Sequence, residues 1–167
     1  LLFCIGLNPI LSADETSDLA NKIVIEGTAD DSKVRIALRK LSHSVMTKSE
    51  NTRLKHVKSL ITVINSKKEV EVKAFLIREL QYIGRQESIA AVSKYLNDKD
   101  LCEPATQTLI GIYQNTESKD IKAAIATAFA KATGANELTL AKACGAVRVD
   151  ISATQSKLKK LASNKNW

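Results

Sequence analysis

Apolar residues recur along this chain at the spacing of a helix and not at that of a strand. Val34, Ala37, Leu38, Leu41 and Val45 fall at i, i+3, i+4, i+7 and i+11, one stripe on a helix predicted over about 33–47. Asp31-Ser32 stands before it as the expected N-cap. Leu54, Val57, Leu60, Ile61 and Ile64 predict a second helix over about 52–65. Val72, Phe75, Leu76, Leu80 and Ile83 predict a third over about 68–83, with Gly84 at the expected place of a left-handed cap. Ile89, Val92 and Leu96 mark a short fourth over about 87–96, which Asn97-Asp98 interrupts. Pro104 sits in the first turn of a fifth helix reaching about 113. Three more are predicted over about 118–132, ending before Gly134, over about 137–147, and near 153–162.

The connections are only a few residues long, so neighbouring helices are expected to pack antiparallel. Gly and Pro together number 8 in 167 residues. A β-sandwich or barrel would need turn residues every 8–12 positions, and the chain does not supply them. The expected fold class is therefore all-α. A repeat sharpens this. Val92, Ile125 and Leu158 are spaced by 33 and 33, Leu96, Phe129 and Ala162 keep the same intervals, and Leu76 and Leu109 are again 33 apart. A helix pair recurring at about 33–38 residues is the period of an α-solenoid, in which stacked pairs build the core that no single pair can close.

Two segments carry a family likeness. Asp31-Ser32-Lys33-Val34-Arg35-Ile36-Ala37-Leu38 and Leu140-Ala141-Lys142-Ala143-Cys144-Gly145 resemble the second helix of short HEAT repeats of the PBS-lyase type. Ala74 to Leu80 with Ile83-Gly84, Ala91 to Leu96, and Leu101 to Ala105 resemble, more narrowly, the N-terminal HEAT region of secreted Bacteroidota proteins. The resemblance covers about residues 17–163 and implies a HEAT-like, armadillo-type superhelix. Some members of that group continue into a 3-keto-disaccharide hydrolase β-sandwich. Thr106-Gln107 and Cys144 depart from the repeat pattern, which breaks the regular arginine ladder.

Residues Leu1 to Leu11 are almost wholly apolar and are followed by Ser12-Ala13. This reads as the remnant of a secretory signal over 1–13, with the solenoid over 14–167 and export to the periplasm or cell surface expected. Eleven apolar residues do not span a bilayer, so no transmembrane segment is expected. Phe3 before Cys4 disfavours a lipoprotein site, and the polar tail ending in Trp167 reads as a truncated C-terminus.

The formal net charge is +7. From Lys33 to Arg85 thirteen basic residues face four acidic ones, a net of +9, so the remainder of the chain is slightly acidic. On the second helix of each HEAT pair, Arg35, Arg39, Lys73 and Arg78 are expected to face the concave surface and to contact a partner. An anionic ligand is compatible with this block. Nucleic acid is disfavoured, because Tyr82, Tyr95 and Tyr113 are few and unclustered.

Chemistry is sparse. His43 and His56, the only histidines, lie 13 apart and fit no zinc motif, and His43 is expected to be solvated or capping. Cys102 and Cys144 lie in no C-x-x-C pair; they are read either as a disulfide or, preferentially, as free thiols packed between helices. Glu71 and Glu79 read as a solvated face, not as a catalytic pair. No cofactor or metal is expected. The resulting expectation is a non-catalytic HEAT scaffold that binds a protein partner. The alternative is an accessory domain of a larger carbohydrate-active enzyme, whose catalytic part lies beyond residue 167.

Overall fold

Three hydroxyl side chains start helices by accepting orphan N–H groups of the first turn. Thr28 accepts from Asp31 at 3.1 Å, Ser49 from Thr52 at 3.3 Å, and Ser118 from Asp120 at 3.3 Å. They open α2 (Ala29–Met46), α3 (Glu50–Ile64) and α7 (Lys119–Lys131). The computed structural model describes residues 13–24, 28–66, 69–150 and 155–163. Its further elements are α1 (Ala13–Lys22), α4 (Val70–Ile83), α5 (Gln86–Ser93), α6 (Cys102–Thr116), α8 (Ala135–Ala146) and α9 (Gln155–Ser163). Among the described residues there is no strand, and the protein is all-α. The signal segment expected over 1–13 falls, but for Ala13, outside the described residues, as do the last four residues of the tail.

Most predicted helices are present within a few residues of their expected bounds, with three corrections. Asp31-Ser32 does not cap α2. Thr28 does so one turn earlier because its backbone is extended, and Asp31 becomes a buried residue of the first turn. Gly84 is not left-handed: its φ of −72° and ψ of 149° are extended. A Cβ there would come within 2.6 Å of the Leu80 carbonyl and 2.7 Å of the Ser88 hydroxyl, so glycine provides clearance where α4 turns into α5. Left-handed residues follow other helices instead, Glu117 after α6 at φ 49° and Arg148 after α8 at φ 53°. Third, α1 was not expected at all, yet it buries Thr16 and Ala20, and Ile23 follows it into the core.

Packing follows a simple rule of steps. Each of α2, α4 and α6 touches the next even-numbered helix, and each of α1, α3 and α5 touches the next odd-numbered one. Contacts between consecutive helices, such as α1 with α2, α3 with α4, α5 with α6 and α7 with α8, join the two series. The core they enclose is aliphatic: Leu38, Leu60, Leu76, Leu80, Leu109 and Ile112 are fully buried, and Phe129 is the large ring among them. Of the 33-residue series, Leu76 and Leu109, Val92 and Ile125, and Leu96 and Phe129 are all buried. Ala162 is exposed, and the Leu158 side chain lies outside what the structure describes.

The steps of two are tied by polar bonds that span a similar sequence distance. The Thr108 hydroxyl donates to the Ile77 carbonyl at 2.9 Å, joining α6 to α4. Close by, a Cβ on Gly111 would fall 2.5 Å from Gln81 Cγ, so glycine sets how near α6 approaches α4. Arg53, buried on α3, donates to Glu87 at 2.6 Å, to Glu50 and to the Ile83 carbonyl. With Arg85 also bonded to Glu50, two guanidiniums balance two carboxylates here, whereas an unpaired buried guanidinium would be strongly destabilising. The Arg53 bond holds the Glu50 carboxyl below its usual range. Burial would raise the Glu87 pKa, but the same guanidinium and the backbone N–H groups of Glu87 and Arg85 together outweigh it and the net shift is downward. Gln86 at the start of α5 in turn bonds Asp120, and accepts from Ser118 at 3.0 Å, at the start of α7.

His56 ties the first three helices. Its Nδ1 lies 2.6 Å from the Thr16 hydroxyl on α1 and its Nε2 lies 3.0 Å from the Ser42 hydroxyl on α2. A neutral imidazole has one N–H and one lone pair, so one hydroxyl accepts while the other donates. Burial pushes the His56 pKa down to about 4. The unfolded chain, with an ordinary histidine pKa of about 6.5, then binds more protons than the native state between these values. Stability is full above the unfolded pKa and falls as the pH drops from about 6.5 to about 4, by ~3 kcal/mol over the window. The lowered carboxyl groups of Glu50 and Glu87 add losses that begin near the ordinary value of 4.5, at the acid end of that window, and continue below it. Urea unfolding at stepped pH should show this slope in the native chain and a flatter one in His56→Gln; an equal slope in both would remove His56 as its origin. Gly111→Val should lower stability by about 1–3 kcal/mol through forced separation of α6 from α4, read as a lower thermal midpoint, and an unchanged midpoint would contradict the close approach.

Candidate partner-binding face

Along α2, Ser32, Ile36, Arg39, His43 and Met46 make a second line, distinct from the apolar stripe, and all five are exposed. Along α4, Phe75, Arg78 and Tyr82 recur at helical spacing on one side. Since α2 and α4 are in contact, the two lines meet. Ile36 and Tyr82 are each 54% exposed and Met46 50%, so large apolar groups lie open here. The Tyr82 ring sits 6.0 Å from that of His43, which is exposed as the sequence suggested.

Phe75 is the centre of the face. The Arg35 guanidinium carbon lies 4.7 Å from its ring centroid and that of Arg39 lies 5.6 Å away, both within cation–π range. Arg35 is clamped from behind: Nε donates to Asp31 at 2.6 Å and Nη2 donates to the Val24 carbonyl at 2.9 Å. Burial alone would raise the Asp31 pKa, but the Arg35 bond, the Val24 N–H and the guanidinium charge outweigh it and hold the carboxyl below its usual value. Arg39 donates through Nε to Glu79 at 3.1 Å, and the second oxygen of this buried carboxylate has no hydrogen-bond partner. Glu79 is thus not on a solvated face, as its sequence setting implied, but beneath Arg39. Ser32, Arg35, Ile36, Arg39 and Phe75 together line a shallow concavity of about 320 Å³.

Of the four basic residues expected to act together, the structure joins two. Arg35 and Arg39 meet on Phe75. Arg78 shares the Phe75 side of α4 but is bonded to Glu103 of α6 at 2.9 Å, in an exposed pair of little energetic weight. Lys73 is two residues from Phe75, roughly 200° around the helix, and its ammonium lies 5.9 Å from the Tyr95 ring. The structure does not bring Lys73 to the concavity. Sequence reasoning placed Phe75 in the core stripe and overlooked the surface line through Ile36 and Met46. The i, i+4, i+7, i+11 recurrence of that line was the available signal.

Cys102 and Cys144 are free and buried, which sets aside a disulfide between them. Burial pushes both thiols up, so neither is primed as a nucleophile. Among the described residues no cluster of three or more His, Cys, Asp or Glu is disposed to hold a metal ion, and no helix is long and apolar enough to cross a membrane.

The unequal ties of the arginines predict unequal costs. Arg35→Ala strips Asp31 and the Val24 carbonyl of their partner and should destabilise by about 1–3 kcal/mol, whereas Arg78→Ala should stay within about 0.5 kcal/mol of the native chain. Denaturant midpoints of the two variants check this, and equal losses would contradict the clamp. Comparison of the chain with protein-family models, with curated proteins and with solved structures gave no match.

Proposed function

We propose that this chain is a HEAT-like α-solenoid of antiparallel helix pairs, a non-catalytic scaffold that binds a protein partner through the exposed side of its even-numbered helices. The observation that carries the reading is the step-of-two packing of α2, α4, α6 and α8 together with the open apolar groups on the first two of them. Helices that touch their next-but-one neighbours stack in a row, and a row of this kind presents one continuous side. Polar bonds at separations of 30 to 35 residues support the same arrangement, since Arg53 reaches Ile83 and Glu87 and Arg85 reaches Glu50.

The chosen side has the make-up of a recognition surface. Exposed Ile36, Met46 and Tyr82 offer apolar anchors, and arginine supplies directional hydrogen bonding around them. The odd-numbered side is different in kind, with Asn51, Lys55, Lys58 and Thr62 exposed on α3. Rigid presentation is the mechanism. The clamps on Arg35 and Arg39 hold their side chains before a partner arrives, which reduces the ordering cost of association.

Site-specific photo-crosslinking from extract of the source organism tests the proposal. A benzophenone side chain at Ile36 or Tyr82 should trap a protein partner, and the same group at Lys55 or Lys58 should not. Trapping from Lys55 or Lys58 alone, or from none of the four, would contradict a partner on the even-numbered side.

A further inference from the structure

We infer that the occupant of the Phe75 concavity is a peptide segment that pairs a carboxylate side chain with an aliphatic or aromatic one. This rests on the reading of the even-numbered side as the partner-binding side and adds the partner's chemistry.

The argument begins with how the two ion pairs are oriented. The carboxylates of Asp31 and Glu79 are hidden, each with a side chain only 2% exposed, while the Arg39 side chain is 57% exposed. The Arg39–Glu79 pair therefore turns its positive end outward, whereas Arg35, with a side chain 13% exposed, shows only its edge. Solvent meets guanidinium, although the pairs are formally neutral. Among the described residues Arg39 hydrogen-bonds through Nε alone, which leaves both Nη amino groups without a protein acceptor. Arg35 commits Nε and Nη2 and leaves Nη1. A planar fork held in place with its amino groups unused matches a carboxylate of a partner. Exposed Lys40 on the same helix adds to the field.

Apart from Ser32, the rest of the lining is apolar. Ile36 stands half open at the lip, and the half-buried Phe75 ring forms the floor. A purely ionic ligand would leave both uncovered. An apolar side chain next to the carboxylate would cover them, and burying that contact would strengthen the charged bonds by excluding water. The concavity, at about 320 Å³, has room for one or two side chains and not for a folded domain.

Nucleic acid fits less well. Base recognition on a single strand stacks successive bases on several open aromatic faces, whereas this concavity has one half-buried ring, Phe75, and the nearby Tyr82 ring lies beside His43. The hidden acids behind the arginines also oppose a dense run of phosphates.

Selection of a displayed library of twelve-residue peptides on the full chain tests the inference, followed by fluorescence anisotropy with the enriched peptides and with a twelve-residue oligothymidylate. Ile36 is exposed and bears no polar ties, so changing it leaves the fold in place. Enriched peptides should combine Asp or Glu with Leu, Ile or Phe. Ile36→Glu should weaken them at least tenfold and by clearly more than Ile36→Lys, which loses the apolar lip but adds a cation, and Arg39→Gln, which keeps a donor for Glu79, should weaken them as well. Peptides that are basic or uncharged, or that respond equally to the Glu and Lys variants, would overturn the acidic–apolar assignment while leaving a partner on this side. Tighter binding of the oligothymidylate would replace peptide with nucleic acid. Peptides lost in Lys58→Glu and indifferent to Ile36 and Tyr82 changes, or no enrichment at all, would overturn the assignment and the partner-binding reading together.

Discussion

The central helices of this chain carry apolar stripes broader than one neighbour can cover, and that constraint organises the rest of the molecule. On α4, Val72, Leu76, Ile77, Leu80 and Ile83 are all buried, and α2, α3 and α6 share the work of covering them. A single helix pair would leave much of this surface in water. Contact with both the next helix and the next but one resolves it, and the polar ties fall where the steps of two are made. Arg53 fastens α3 to the start of α5, Gln86 fastens α5 to α7, and Thr108 fastens α6 to α4. Because the core is mostly aliphatic, small residues at the crossings matter as much as large ones, as Gly111 against Gln81 illustrates.

The same geometry makes the candidate site. An ion pair formed between two adjacent even-numbered helices, such as Arg39 with Glu79, places the shorter acid between the helices and the longer base outside. Asp31 is hidden in the same way beneath Arg35 within α2, where the base is itself largely covered. The outcome is a positive rim without a large local excess of charge. That explains why a block with a net charge of +9 in sequence becomes a patterned surface, with Arg53, Arg78 and Arg85 engaged by Glu50, Glu87 and Glu103.

Legibility in the sequence followed the range of the interaction. Helix period and most boundaries were readable because they depend on neighbours within four residues. The step of two was readable as the recurrence of Leu76 at Leu109 and of Val92 at Ile125. Failures came where packing decides. α1 has only a short stripe around Leu19 and Ala20, Thr28 was masked by two acids after it, and Gly84 serves clearance and not a positive φ. At the site, Arg35 and Arg39 were readable as a pair because four residues make one turn, whereas Glu79 and Phe75 became partners of α2 only through α2–α4 packing. His56 left a signal that went unread: it shares the stripe of Val57 and Leu60, where a polar residue must find partners.

The stacking order is the claim on which both the fold account and the proposed function stand, and distances between exposed sites on the odd-numbered helices test it directly. Spin labels placed in pairs among Asp18 of α1, Lys55 of α3, Ala90 of α5 and Ala123 of α7 report those distances without touching the core. If the helices stack in steps of two, the distance from Asp18 should grow with each helix passed, by about 8–10 Å per step. Distances that stay level or shorten from Lys55 to Ala123 would mean that the helices close into a bundle, and the continuous even-numbered side would not exist.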